Sequence, residues 1–456
     1  MTLHAHPCRA TRSAPSATSA ERSTADREFL PRQPGRVLGR PPDRSRHEET
    51  DVGDADTAHG PAGVLYAQLR RACRHQADEL WALSSALHED PELAYEEHRA
   101  AALLTGELHR AGFTVERGVA GLDTAFLART ARGGGRCVAL LLEYDALPDL
   151  GHACGHNLIA AAGLGAALAL RGVQVAGAFE GTVLAVGAPA EERGGGKVAL
   201  AEAGVFDGVD AALMFHPGVH DWSWAPLTAQ TQVRVGFHGR AAHPTGDPTG
   251  GIDALAALVQ LFNTAAAVGR RLPPGSHVQG IVTHGGVATN IVPAYAEGLF
   301  GLRAATSTAL DALVADVSRW AEGVAAATGT WVEVTRLGRG YAHFRDNDVL
   351  SDRFALHIAR AGIRLTEPVG GVFPGSSDIG DVSSRVPAIH PFVAILGDEG
   401  SDHTPAFARA AASDRGREVM LAAAEALACT AADVLTDSGF AARAWARQHE
   451  KAAAGL

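Results

Sequence analysis

The segment "EYDALPDLGHACGHN" crowds Glu143, Asp145, His152, Cys154 and His156 between two apolar runs. A thiolate and an imidazole separated by one glycine can both turn toward one point, and both are strong ligands for a zinc-like ion. Alone, a C-x-H is as readily an incidental loop. A second cluster, "APAEERGGG", places Glu191 beside Glu192. Neighbouring residues of an extended chain point apart, so one carboxylate can ligate a metal while the other takes a proton from water, as hydrolysis requires. An exposed loop with two acids is the ordinary alternative. His216 in "MFHPG" and His403 in "SDHTPAF" each follow an apolar run, and each alone reads as a structural histidine. Together the four clusters stand after four different strand-like segments and supply Cys, Glu and His, the usual zinc inventory. Their independence argues for one shared site.

Such groups need a scaffold that brings strand ends together. From about residue 62 the apolar spacing of "VLYAQLRRACRHQADELWALSSALHEDPEL" predicts one long helix ending before Pro91. "CVALLLEYDA", "GTVLAVGAPA" and "DAALMFHPG" read as buried strands, with helices "NLIAAAGLGAALAL" and "GGKVALAEAGVF" between them. This alternation implies an α/β fold with a mostly parallel sheet, whose ligands gather beyond the carboxyl ends of the strands. After "DWSWAPLTA" the texture changes to four strands and two helices, an inserted α+β unit over about 227–341. The expected organisation is a discontinuous metal-binding domain over 59–226 plus 342–456, with 227–341 as its insertion.

Residues 1–58 are rich in Pro, Ser, Thr and Arg without apolar period, and are expected to be disordered. The first twenty lack acids, which faintly resembles a transit peptide, but no apolar core of a secretory signal is present. A net charge of -11 excludes the basic surface that nucleic acid or an anionic membrane requires, leaving small molecules as partners. No run of about 18 uncharged apolar residues occurs. Five scattered cysteines, an odd number, do not form a disulfide framework and point to a reducing, cytoplasmic setting. Lys197 and Lys451 are the only lysines, which codon bias explains. A serine nucleophile elbow fails because Ile379 stands at its last glycine, and a phosphate loop fails at Glu191 and Val198.

"EYDALPDLGHACGHN", "GAPAEERGGGK", "MFHPG", "HGRAAHP", "TNIVP" and "GSSDIGDVS" resemble, in order from about 65 to 440, the aminoacylase and aminobenzoyl-glutamate hydrolase branch of metallopeptidase family 20. That resemblance implies a catalytic sheet domain binding two divalent ions, zinc or manganese, and a lid domain that forms a homodimer. It makes Cys154, His156, Glu192, His216 and His403 the metal ligands and Glu191 the general base. Asp145 becomes the acid that orients a ligating side chain. His243 becomes the histidine that reaches a neighbouring active site's oxyanion, and Asn290 a substrate contact. Prototype members put His at Glu143 and Asp at Cys154, and these departures follow the amidohydrolase branch. Ser376, Ser377 and Asp378 read equally as an ordinary turn. The implied activity is hydrolysis of an amide or peptide bond in an N-acyl amino acid, aminobenzoyl-glutamate or a dipeptide. A dimeric binding protein that kept the fold without the chemistry is the competing reading, and the intact Glu191–Glu192 pair speaks against it.

Overall fold

Helical structure starts at Pro61, but the one expected helix is two, α1 (Pro61–His75) and α2 (Ala77–Glu89). Gln76 breaks it, with φ of −98° and ψ of 6°, and its side-chain amide donates to Ala72 O at 3.1 Å. In the computed structural model, which describes residues 61–130, 134–247 and 249–456, both helices pack on the same later helix. A straight helix rising about 1.5 Å per residue over both segments would outrun that partner. The reading of 1–58 lies outside the described residues.

After α3 (His98–Arg110), two short strands follow that the apolar pattern did not announce, β1 (Thr114–Arg117) and β2 (Phe126–Arg129). β3 (Cys137–Glu143) is apolar until its last residue because it is covered on both faces. α4 (His156–Val175) then crosses over to β4 (Thr182–Ala188), and the short α5 (Gly196–Glu202) to β5 (Ala211–Leu213). The expected strand over 210–218 is divided, since β6 (His216–Gly218) leaves β5 and joins a separate ribbon. Pro217 has no N–H for a central ladder, which confines this segment to an edge pairing.

Residues 229–341 build a second sheet from β7 (Ala229–His238), β8 (His277–His284), β9 (Tyr295–Ala304) and β10 (Trp331–Tyr341). Its order is β10-β7-β9-β8, antiparallel throughout. Two helices, α6 (Ala254–Gly269) and α7 (Ser307–Thr328), cover one face and enclose a separate apolar core around Phe237, Leu258, Phe300 and Val317. Asp253 and Thr306 cap these helices by accepting from Ala256 N and Ala309 N.

The chain then continues through α8 (Asp348–Ile358), α9 (Ile379–Ser383), β11 (Ala388–Ile389), β12 (Phe392–Ala394), α10 (Pro405–Ala411), α11 (Asp414–Thr436) and α12 (Ser438–Ala453). β11 completes a six-stranded sheet of order β1-β2-β4-β3-β5-β11, and β12 pairs with β6. The four strands from β4 to β11 are mutually parallel, whereas β1 and β2 form an antiparallel edge. α4 and α11 are apolar and long enough to cross a membrane, yet 72% and 83% of their apolar windows are buried, and they pack on each other as core helices.

Candidate metal centre

Gly155, immediately before α4, has φ of +79°, and a Cβ placed on it would lie 2.5 Å from Pro217 Cγ. Only glycine fits this turn, which brings Cys154 and His156 against the His216 segment. His156 opens α4, and its Nδ1 lies 3.0 Å from Asp145 Oδ1 and 2.9 Å from Asp145 O. Its Nε2 is thereby turned inward, buried and without a hydrogen-bond partner. The other carboxylate oxygen of Asp145 accepts from Glu192 N at 2.9 Å, so one acid orients two of the expected ligands.

His216 Nδ1 donates to Pro217 O at 2.6 Å, which leaves Nε2 facing Cys154 Sγ at 3.5 Å. Burial holds this ring down at about 4, so it is neutral with an open lone pair. From the far side His403 Nε2 approaches Glu192 Oε1 at 3.5 Å, and its main-chain N donates to Ala153 O at 2.9 Å. His403 and Ala190 both adopt left-handed backbone, with φ of 54° and 59°. Non-glycine residues hold that conformation at a cost of about 1–3 kcal/mol, and such strain concentrates at functional sites.

Among the described residues three sets of ligand atoms lie within 4.8 Å of one another: Cys154, His156 and His216; Cys154, Glu192 and His403; and His156, Glu191 and Glu192. Cys154 belongs to two of them. The donors fit a divalent ion, because His156 Nε2 and Glu192 Oε1 are buried without partners. Against the opposing effect of burial, Cys154 and Asp145 also raise the His156 imidazole well above its ordinary value. The structure therefore brings together Cys154, His156, Glu192, His216, His403, Glu191 and Asp145. It does not bring His243 or Asn290 to this cluster. Both are exposed in the second unit, and His243 Nδ1 is occupied locally by Thr245 and Gly246.

Three further groups surround the cluster. Lys197, Glu143 and Asp378 are all fully buried, with the Lys197 ammonium ion-paired to both carboxylates. Lys197 N also donates to Asp378 Oδ2 at 2.8 Å, so Asp378 is no ordinary turn residue. Burial would raise Glu143, but Lys197 and His156 outweigh it and hold the carboxyl below its usual range. The retention of lysine here, in a chain otherwise almost all arginine, was the available sequence signal. Tyr341 donates to Glu191 O at 3.1 Å. His390 is buried beside His216, with ring centroids 5.3 Å apart and neither nitrogen hydrogen-bonded; no sequence pattern marked it.

Residues 139–428 match the family described as Peptidase family M20/M25/M40. The chain belongs to peptidase family M20. Xaa-Arg dipeptidase of Mus musculus is 38% identical over 84% of this chain and 92% of its own, and the Homo sapiens protein of the same name is 37% identical over the same shares. A p-aminobenzoyl-glutamate hydrolase chain of Escherichia coli is 29% identical, covering 80% and 89%. In fold, this M20 peptidase resembles a dinuclear metal-binding peptidase of Bacillus subtilis, with a TM-score of 0.63 at 22% identity over 79% of this chain and 99% of that one. It also resembles an aminobenzoyl-glutamate utilization protein of Klebsiella pneumoniae, with a TM-score of 0.62 at 22% identity over 81% and 99%. As an M20 member it is a hydrolase of amide or peptide bonds.

Proposed function

We propose that this M20 peptidase is a dimeric dipeptidase that cleaves the amide bond next to a free carboxylate. The observation that carries this reading is the pair of three-ligand sets sharing Cys154, with Glu191 beside them. The names of the mouse and human relatives support a dipeptide, with arginine as the first C-terminal residue to test, ahead of N-acyl amino acids and aminobenzoyl-glutamate.

Cys154, His156 and His216 would hold one ion and Cys154, Glu192 and His403 a second; thiolate and imidazole donors suit zinc, with manganese the alternative. A divalent ion there supplies Lewis acidity, polarising the scissile carbonyl and making water acidic near neutral pH. Glu191 takes the proton of the attacking water and delivers it to the leaving nitrogen, so no side chain is acylated. Burial, with like charge from Glu143 and Asp378, pushes the Glu191 carboxyl well up, the direction a base working near neutrality requires. His243 from a second copy meets the oxyanion, and Asn290 contacts substrate. The outer strand β8 carries exposed Ile281 and Val282, a free edge suited to two-fold pairing of lids. The odd, scattered set of cysteines in the sequence supports a cytoplasmic setting.

The test is Glu191→Gln, assayed for metal content and for hydrolysis of dipeptides, N-acyl amino acids and aminobenzoyl-glutamate. An amide cannot accept the proton, so turnover should fall about 10²- to 10⁴-fold with metal retained. Native turnover by the variant would remove Glu191 from its role, and a native protein that bound these compounds but hydrolysed none would be a binding protein.

A further inference from the structure

Two strands join the lid to the metal-binding domain, β7 on entry and β10 on exit, and they meet where Gln230 pairs with Tyr341. Both connections are fastened to the "GSSDIGD" segment. Thr228 N donates to Gly375 O at 2.9 Å, and Thr228 Oγ1 and Ser376 Oγ are 2.7 Å apart. Ala342 N donates to Asp381 Oδ2 at 2.9 Å, and between these anchors Asp378 holds Lys197.

Tyr341, the last residue of β10, is only 8% exposed and reaches past this joint to the turn that bears the general base. That turn is closed by Gly195 N donating to Ala190 O at 3.0 Å, and it runs through left-handed residues at Ala190, Gly194 and Gly195. A Cβ on Gly195 would lie 2.7 Å from Tyr341 Cε1, so the missing side chain makes room for the ring. The phenol then donates to Glu191 O at 3.1 Å.

Resting on the assignment of Glu191 as base, we propose that Tyr341 is a positioning residue that sets this carboxylate by holding its peptide carbonyl from the exit strand of the lid. Glu191 has no helix or strand of its own to fix it, since β4 ends at Ala188 and α5 begins at Gly196. Its main chain is oriented from outside the turn: the peptide joining it to Glu192 is held at its N–H by Asp145 Oδ2 and at its carbonyl by the hydroxyl of Tyr341. The hydrogen bond is made to the backbone, so binding of substrate or metal does not use it.

The experiment is a double-mutant cycle of Tyr341→Phe and Glu191→Gln on the full chain, with the dipeptide that the native enzyme turns over fastest and enough enzyme to follow residual turnover. Loss of one neutral hydrogen bond should lower kcat about 3- to 10-fold in Tyr341→Phe, with KM within about twofold and metal content unchanged. In the Glu191→Gln background the same change should cost less than about twofold, because the base it positions is gone. Equal losses in both backgrounds, or a native kcat in the single variant, would overturn the role of Tyr341 while leaving Glu191 as base. A fully active Glu191→Gln protein would instead overturn the reading on which it rests.

Discussion

Replacing Lys197 with Met keeps the length of the side chain and removes its charge from between Glu143 and Asp378, all three fully buried. Removing one member of a buried ion pair costs about 3–5 kcal/mol. A second route gives a ceiling. Asp378 is pushed up to about 6 by burial even with the ammonium beside it, so without Lys197 it takes up a proton at neutral pH. Protonating a carboxyl of ordinary pKa about 3.9 at pH 7 costs about 4 kcal/mol, and this falls by about 1.4 kcal/mol for each pH unit below 7. The variant should therefore lose about 3–4 kcal/mol of stability at pH 7, and the deficit should narrow by about 1 kcal/mol at pH 5.5, because native Asp378, at about 6, itself takes up most of a proton over that range. Urea unfolding of chelator-treated native and variant proteins at both pH values measures this. Adding Asp378→Asn should recover part of the loss. A deficit under about 1 kcal/mol at pH 7, or one that does not change with pH, would refute the account of Lys197 as the compensating charge.

Cys154 belongs to both proposed ion sites, so Cys154→Ala should strip metal from the protein after dialysis, as elemental analysis would show; native metal content would rule out its shared role. Gly155→Ala forces a side chain into left-handed backbone and against Pro217, and should lower stability by more than about 1 kcal/mol in thermal unfolding, with loss of metal. Burial holds His152 down at about 3, so the folded protein binds fewer protons than the unfolded chain below the ordinary histidine value. Its contribution is present above pH about 6.5 and is lost on acidification at up to about 1.4 kcal/mol per pH unit, and a His152→Gln protein without metal should show a shallower slope of urea midpoint against pH. His243→Ala and Glu191→Gln chains, each inactive alone, should regain up to about a quarter of native activity when refolded together, because half the dimers are mixed and each mixed dimer has one intact site. Mixtures with no gain would place His243 outside the neighbouring site.

Much of the fold was legible wherever an element is long and buried on one face or two. β3, α4, β4, α6, α7 and β9 carry their own periodicity. β1 and β2 do not, because four residues in each, one strand mostly exposed, leave too little pattern. The division of β5 from β6 depends on β12, which pairs with His216–Gly218 from far along the chain. Cys154, His156 and the two glutamates showed through local spacing, whereas His216 and His403 became meaningful only jointly. Asp378 and Tyr341 act through partners 181 and 150 residues distant, a kind of proximity that no local pattern encodes.

Cys154, His156, Glu192 and His216 precede the inserted unit in the chain, and His403 follows it. A ribosome therefore completes four of the five proposed metal-binding side chains before any lid strand exists, while the last waits until the lid has been made. Even His216 lacks its strand partner until β12 emerges. Until then the proposed set that includes His403 lacks one of its three donors. On the proposed assignment, hydrolytic competence is a property of the finished polypeptide, and an ion held by Cys154, Glu192 and His403 would tie the late segment back to the early one.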